Sequence, residues 1–272
     1  MLDASLLALL GFCVGAFGTL VGAGGGFILV PILLFLYPDR PPETITAMSL
    51  VMVFGNAVSG TIAYARQRRV DYWSGIRFAI ATLPGAVAGA YVVQFIPRST
   101  FNLVFASVLG VLGLYLLLSR GVATIRKPLH GWGVVHRQVT DSRGDTFLYA
   151  YRFPYGMGIS AIVGFISSLL GIGGGIVHVP MMAVVLQFPV HIATATSQFV
   201  LGLMAVEAVA THFVSGTLQW DQTLLEAGLL MVGAVVGAQL GARVAHYVRG
   251  ETIIRVLGVA LLLVSLRLAF AR

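Results

Sequence analysis

Eight long apolar runs dominate this chain and limit what it can fold into. They cover roughly residues 4–37, 44–65, 74–96, 100–119, 156–187, 192–214, 223–245 and 252–271. A helix of about 20 apolar residues spans the hydrocarbon core of a bilayer. Charged residues make up only 10% of the chain, whereas soluble domains carry roughly a quarter. The sequence therefore predicts an all-α integral membrane protein.

Other classes of protein have little support. The formal net charge is +7, but basic residues in a membrane protein hold loops on the cytoplasmic side. No basic helix with interleaved aromatic residues is present, so we expect no nucleic-acid partner. Cys13 is the only cysteine, which excludes an intramolecular disulfide and a CxxC metal site. No catalytic set of residues is evident, and we expect neither an enzyme nor a cofactor or metal.

An internal repeat is the second strong feature. The segment VGAFGTLVGAGGGFILVP at residues 14–31 matches VGFISSLLGIGGGIVHVP at residues 163–180, which lies 149 residues later. At an offset of 148 the match resumes in two further blocks, 47–49 with 195–197 and 85–90 with 233–238. Three matched blocks in the same order indicate two halves of common origin.

The repeat divides the chain into three parts. Residues 1–119 form a first transmembrane half, and residues 156–272 form a second. Between them, residues 120–155 form a basic linker. Within it, residues 134–139 and 147–151 flank a turn, which predicts a β-hairpin. We expect the linker to lie on the cytoplasmic side of the membrane.

Matched loops of the two halves differ in positive charge. The loop 66–74 carries three arginines and its counterpart 214–222 carries none, whereas Arg243 and Arg249 correspond to Arg98 alone. Because basic loops stay cytoplasmic, we expect the halves to be inverted repeats. Inversion requires an odd number of crossings, so we predict a re-entrant hairpin plus three transmembrane helices in each half. Eight plain spans in parallel repeats are the alternative.

Two glycine clusters are the main candidates for a solute pathway. Glycine costs up to about 1 kcal/mol in a helix interior, and unwound backbone in a membrane is tolerated only inside protein or beside a water-filled cavity. We therefore predict two unwound segments that face a shared cavity, followed by helix starts whose N–H groups suit a small oxyanion. Close helix packing is the alternative. The candidate glycines are Gly22, Gly24, Gly25, Gly26, Gly171, Gly173, Gly174 and Gly175.

Polar residues in the apolar runs extend this candidate pathway. Neutral side chains suit an oxyanion without a fixed countercharge, and interhelical hydrogen bonding is the alternative role for them. These residues are Ser49, Asn56, Thr194, Ser197 and Gln198.

Two titratable residues are also candidates. His178 follows the second glycine cluster, where the first half has Leu29, and in a cavity it could donate to an anion. Glu207 lies inside an apolar run, where a carboxylate costs roughly 2.5–3.5 kcal/mol. We predict that Glu207 exchanges a proton, with a hydrogen-bonded packing role as the alternative.

The paired blocks GAGGGFILVP and GIGGGIVHVP are each followed by a serine-containing helix, TAMSL or TATSQ. These motifs resemble the TauE/SafE family of sulfite and organosulfonate membrane transporters. The resemblance covers both halves and leaves out the linker. It implies a secondary transporter of the inner membrane that moves a small sulfur-containing anion, with the glycine segments and the serine-bearing helices along the pathway.

The expected partners are a small anionic substrate, the lipid bilayer and, as a further expectation, a second copy of the chain in a homodimer. Two alternative functions remain from the sequence. One is a passive anion channel, and the other is a membrane-embedded assembly factor that acts through the linker.

Overall fold

A computed structural model describes residues 3–118, 129 and 131–270. The remainder of the predicted linker, residues 120–128 and 130, lies outside the described residues. The helices of the first half are α1 (Ala4–Val21), α2 (Gly26–Leu36), α3 (Pro42–Arg66), α4 (Tyr72–Val92), which continues as a 3-10 turn (Val93–Phe95), and α5 (Arg98–Leu118). Those of the second half are α6 (Phe153–Leu170), α7 (Gly175–Pro180), which continues as a π-helical turn (Met181–Val185), α8 (Val190–Val214), α9 (Gln222–Ala245) and α10 (Gly250–Phe270).

Helices of membrane-spanning length dominate the fold. In the described part of the chain, seven helices are long and apolar enough to cross a membrane, namely α1, α3, α4 with its 3-10 turn, α5, α6, α8 and α9. Helix α10 has a similar length but carries Glu251, Arg255 and Arg267. The predicted all-α membrane class is therefore confirmed.

Helices α3 and α8 form the centre of the bundle. Their apolar stretches are 78% and 72% buried, whereas those of the other five spans are 39–44% buried. The large apolar side chains that remain exposed on the outer helices, such as Phe35, Leu103 and Val111, suit contact with lipid. Ser49 and Asn56 of α3 and Ser197 and Gln198 of α8 are buried and therefore lie inside protein.

The two central helices run in opposite directions where they meet. Gly60 of α3 lies against Gln198 of α8, whereas Ala57, one turn earlier in α3, is the neighbour of Gly202, one turn later in α8. Helices α5 and α10 also pair in opposite directions, since the hydroxyl of Ser265 near the end of α10 donates to the carbonyl of Ala106 in α5, and Gly258 lies beside Leu117. These two pairs of corresponding helices therefore run in opposite directions.

Small residues bring the remaining helices into backbone contact across the halves. Gly233 and Gly241 of α9 lie against the backbone of Ala8 and Ala16 in α1. In the related pair, Gly85 and Gly89 of α4 lie against the backbone of α6 in the same way. Residue numbers rise together in both pairs, so these helices run in the same direction. This is the close packing that small residues allow between membrane helices.

A β-hairpin lies between the halves. Strand β1 (Val134–Thr140) pairs antiparallel with β2 (Thr146–Arg152). The turn that joins the strands contacts the α3–α4 loop, because the Ser142 N–H donates to the Gln67 carbonyl at 3.0 Å. Arg143 lies 5.3 Å from the ring centre of Tyr247 beyond α9. The hairpin therefore lies at the end of the bundle where α3 and α9 finish.

The glycine contact between α1 and α9 gives a direct test of this packing. A Cβ at residue 233 would overlap the carbonyl oxygen of Ala8 and lie 2.8 Å from the nitrogen of Phe12, whereas a Cβ at residue 228 of the same helix would meet nothing within 4 Å. We expect Gly233→Ala to lower the thermal unfolding temperature in detergent, since overpacking costs about 1–3 kcal/mol. We expect Gly228→Ala to be neutral or to stabilise by up to about 1 kcal/mol. Equal unfolding temperatures for the two variants would contradict the packing.

Candidate functional site

Both glycine clusters end a helix in the same way. Gly22 after α1 has φ 75°, and Gly171 after α6 has φ 65°, so both are in the left-handed region that favours glycine. In each half the next N–H bonds back to the helix, from Ala23 to Gly18 at 2.7 Å and from Ile172 to Ser167 at 3.1 Å. This is the usual capping of a helix by glycine. The unwound segments 22–25 and 171–174 follow.

The two unwound segments cross each other in opposite directions. A Cβ on Gly26 would lie 2.7 Å from the Gly171 carbonyl oxygen, and a Cβ on Gly175 would lie 2.5 Å from the Cα of Ala23. Midway between these ends, Gly24 and Gly173 both face Val53 of α3 and Leu201 of α8. We call this region the glycine crossing, residues 22–26 and 171–175. A side chain at residue 26 or 175 would push the two backbones apart.

The serines of the central helices bind the crossing reciprocally. The Ser49 hydroxyl donates to the Gly171 carbonyl at 2.7 Å, and the Ser197 hydroxyl donates to the Gly22 carbonyl at 3.4 Å. Each half therefore supplies a serine to the other half's first cluster glycine. Both serines are fully buried.

Backbone donors remain free in the crossing. Among the described residues, the N–H groups of Gly25, Gly26 and Phe27, and those of Gly173, Gly174 and Ile176, donate no hydrogen bond. Buried N–H groups are normally paired. These two sets of free N–H groups, one in each half, can therefore donate hydrogen bonds to an oxyanion, as helix N-termini do.

A polar network lies on one side of the crossing. Asn56 accepts through its side-chain oxygen from the Thr19 hydroxyl at 2.9 Å and from the Gln198 amide at 2.8 Å. It donates to the Gly15 carbonyl at 2.8 Å. The side-chain oxygen of Gln198 is buried without a hydrogen-bond partner. Asn56 and Gln198 are thus brought together, and the repeat has no equivalent because Met204 and Leu50 take the matched positions.

Two further candidates, Thr194 and His178, form their side-chain hydrogen bonds outside the glycine crossing. The Thr194 hydroxyl donates to the Val190 carbonyl of its own helix, while its methyl group lies against Gly22. His178 is buried, and its Nε2 lies 2.9 Å from the Ser160 hydroxyl. The His178 ring also lies 5.9 Å from that of Phe78. In this conformation His178 therefore contacts Ser160 and Phe78, and a role in anion binding stays a prediction.

Glu207 lies away from the crossing. One carboxylate oxygen accepts from the Thr211 hydroxyl at 3.0 Å, and the other is buried without a partner. Its neighbours on α8, Leu203 and Val206, are exposed on the surface of the bundle. Glu207 thus stands at the edge of the bundle, and its proposed exchange of a proton stays a prediction.

The crossing is closed in this conformation. All residues of both segments are buried. Cavities of about 690, 480 and 440 Å³ in the described part of the chain are lined by residues of α5, α6, α7 and α10 or by the loops that precede α3 and α5, and not by the glycine segments. The predicted shared cavity beside the glycines therefore stays a prediction for another conformation.

The hairpin also carries a buried charge cluster that the sequence did not predict. The Asp71 carboxylate forms an ion pair with Arg137 at 2.7 Å and accepts from the hydroxyls of Ser74 and Tyr149 at 2.6 Å each. Arg69 pairs with the buried Asp141 at 2.9 Å. The available signal was the alternation in β1, since Arg137 lies on the same face of the strand as the half-buried Val135 and Val139.

The surroundings of Asp71 shift its pKa. Burial alone raises the pKa of the carboxyl, but hydrogen bonds from Arg137, Ser74 and Tyr149 outweigh burial and hold the pKa below its usual range. Burial and the neighbouring Asp71 raise the pKa of the Tyr149 hydroxyl. The carboxylate is therefore ionised at neutral pH and fastens the hairpin to the α3–α4 loop.

These features together define a class of protein. A bundle of apolar helices with two broken helices meeting at its centre is a multi-pass membrane protein of transporter type. The sequence model of the family described as "Sulfite exporter TauE/SafE" matches residues 7–268. The chain belongs to this family, which confirms the resemblance seen in its motifs, and it is a membrane transporter rather than an enzyme.

Named relatives agree with this assignment. The chain is 33% identical to the "Probable membrane transporter protein YunE" of Bacillus subtilis, over 97% of each chain. It is 28% identical to the "Probable membrane transporter protein MJ0441" of Methanocaldococcus jannaschii, over 78% of this chain and 73% of the relative. It is also 28% identical to the "Probable membrane transporter protein ORF9" of a Sinorhizobium species, over 92% and 84%. No solved structure matches significantly.

The lowered pKa of Asp71 predicts an acid-sensitive contribution to stability. Since the folded pKa lies below the unfolded value of about 3.9, the contribution is complete above about pH 5 and is lost as the pH falls through the folded pKa. We expect Asp71→Asn to cost about 1.5–3 kcal/mol at pH 7, and we expect this difference from the parent to close below about pH 4. Thermal unfolding in detergent across a pH series measures it.

Asp145→Asn is the matched control, because Asp145 lies exposed in the same hairpin. We expect this control to change stability by less than about 0.5 kcal/mol. A difference between Asp71→Asn and the parent that already shrinks between pH 7 and pH 5 would contradict the prediction.

Proposed function

We propose that this transporter moves a small sulfur-containing oxyanion, such as sulfite or an organosulfonate, across the inner membrane by alternating access. The observation that carries the proposal is the glycine crossing, where free backbone N–H groups from both halves meet deep inside the protein. The family description points to sulfite, and the neutral donors suit a singly or doubly charged oxyanion. Binding without a fixed cation leaves the anion free to depart.

The proposed binding position is the crossing itself. Its candidate residues are Gly22, Gly24, Gly25, Gly26, Gly171, Gly173, Gly174 and Gly175, with Ser49, Ser197, Asn56 and Gln198 beside them. Separation of the two segments would free the serine hydroxyls from the Gly171 and Gly22 carbonyls. These hydroxyls then become donors for the anion, in addition to the N–H groups.

We propose inverted halves, each a re-entrant hairpin plus three crossings, with the linker in the cytoplasm. Helices α3 and α8 run in opposite directions, as do α5 and α10, which supports a two-fold axis in the membrane plane. Arginines cluster at the hairpin end, which supports a cytoplasmic location for that end. They are Arg66, Arg68, Arg69, Arg137, Arg143, Arg152, Arg243 and Arg249.

Counterflow in proteoliposomes tests the transport proposal. Vesicles are loaded with one unlabelled anion, and uptake of a trace of labelled anion is measured for sulfite, thiosulfate, sulfate, taurine and sulfoacetate. We expect transient accumulation above equilibrium for one or more of these anions, because a carrier exchanges bound solute. Protein-free vesicles are the control.

The result separates the alternatives. Flux without accumulation above equilibrium would indicate a passive anion channel. No flux with any of the five anions would contradict the proposed substrate class.

A second prediction concerns Glu207. If its carboxylate exchanges a proton during transport, Glu207→Gln removes the dependence of flux on a pH gradient while counterflow at equal pH continues. Thr211→Val is the matched control, because it removes the hydroxyl that bonds to the carboxylate and the main-chain carbonyl of Glu207 but keeps the carboxylate. An unchanged pH profile in Glu207→Gln would remove Glu207 from the mechanism.

A further inference from the structure

Two contacts at opposite ends of the central helices involve residues at matched positions of the repeat. Arg40, between α2 and α3, meets Glu226 near the start of α9. Exactly 148 residues after Arg40 comes Phe188, between α7 and α8, and 148 residues before Glu226 comes Phe78 of α4. Phe188 and Phe78 also meet, with ring centres 6.3 Å apart. Each contact joins the loop behind one half's broken helix to the other half's helix.

The contact far from the hairpin is ionic. Arg40 Nη1 lies 2.7 Å from Glu226 Oε2, and the side chains are 25% and 7% exposed. The guanidinium also lies 4.1 Å from the ring centre of Tyr37 and donates to the sulfur of the fully buried Met48. Beside it, a cavity of about 440 Å³ is lined by residues of the loops before α3 and α5. Arg40 therefore stands between an open cavity and the buried interior.

The contact at the hairpin end is aromatic. Phe78 and Phe188 are fully buried, and the rings of Tyr149 and Tyr151 from the hairpin lie 4.5 and 4.9 Å from that of Phe188. On the inner side, Phe78 touches His178, which follows the glycine crossing. A series of ring contacts thus leads from the hairpin tyrosines to His178, whose N–H donates to the Gly174 carbonyl in the crossing.

We propose that the Arg40–Glu226 pair and the Phe78–Phe188 pair are the two gates of the transport pathway. This inference rests on the proposed alternating access. In an inverted repeat, the two ends of the pathway are built from matched elements, so a gate at one end has its counterpart at the matched residues of the other. Both gates are closed here, and the crossing between them is buried. Opening one end requires one pair to separate while the other holds.

Cysteine accessibility tests the gates without any substrate. In a Cys13→Ala background, single reporters are placed at Met48→Cys, a fully buried residue against Arg40, and at Thr196→Cys, the matched residue, which is fully buried beside the α3–α4 loop at the hairpin end. A membrane-impermeant maleimide is added to one side of sealed vesicles. A reporter at Ser142→Cys, on the exposed hairpin turn, identifies the hairpin side.

The expected changes are opposite at the two ends. Glu226→Gln should raise the labelling rate of Met48→Cys, from the side opposite the hairpin, by at least about fivefold and lower that of Thr196→Cys, as a shift of a coupled equilibrium requires. Phe188→Ala should raise labelling of Thr196→Cys from the hairpin side and lower that of Met48→Cys. Exchange of the charges, Arg40→Glu with Glu226→Arg, should return labelling towards the parent rate.

Unchanged labelling in folded Glu226→Gln and Phe188→Ala would overturn the proposal, as would labelling of Met48→Cys from the hairpin side. Should a gate variant fail to fold, cysteine pairs at residues 40 and 226 or at 78 and 188 replace it. Cross-linking either pair should stop counterflow, and cleavage of the cross-link should restore it; continued counterflow with a closed cross-link would overturn the proposal.

The outcome is separable from that of the transport proposal. If labelling changes in opposite directions at the two ends but no tested anion is transported, the gates are supported and the substrate class is rejected. If an anion is transported but the gate variants leave labelling unchanged, the transport proposal is supported and the gates are rejected.

Discussion

The need to satisfy backbone polar groups inside a membrane governs this structure. A helix satisfies its own backbone, so any break must lie within protein or beside water. Here two breaks lie against each other at the centre of the bundle, and only glycine lets the two backbones approach so closely. Ser49 and Ser197 satisfy one carbonyl in each segment, while several N–H groups stay free. Because unsatisfied donors are costly in a buried site, their retention at both related positions favours a role in binding over a role in packing alone.

The duplicated halves share a backbone plan but differ in chemistry. The glycines and the serines occur in both halves, and these residues build the crossing. The polar network of Asn56 and Gln198 has no counterpart at the matched positions, which are Met204 and Leu50, and His178 is matched by Leu29. An exact duplicate would present the same groups to both faces of the membrane. The differences give each end of the pathway its own chemistry, ionic at Arg40 and aromatic at Phe188.

The sequence predicted features that depend on local pattern or on the repeat. The helix breaks at Gly22 and Gly171 followed from glycine content, and the structure's hairpin starts at Val134, the residue where the alternating pattern begins. Contacts between distant segments were beyond a single sequence, because they depend on how helices cross. The Asp71–Arg137 pair joins a loop to a strand 66 residues away. The alternation in β1 puts Arg137 on the half-buried face of the strand, but nothing local identifies Asp71 as its partner. For the same reason the place of Glu207 in an apolar run did not show that its carboxylate would bond to Thr211 near the edge of the bundle.

The hairpin makes the two ends of the bundle energetically unequal. An ion pair with a partly exposed partner contributes little in water, and its charges are resolvated when Arg40 and Glu226 separate. At the other end, separation of Phe78 from Phe188 exposes aromatic surface to water, and the two tyrosines of the hairpin must move as well. Asp71 then either carries the hairpin along with the α3–α4 loop or loses Arg137, which would leave a buried charge unpaired at high cost. Under the proposed gating, the end opposite the hairpin therefore opens more readily, and a bound solute on the hairpin side supplies the interactions that offset the harder opening.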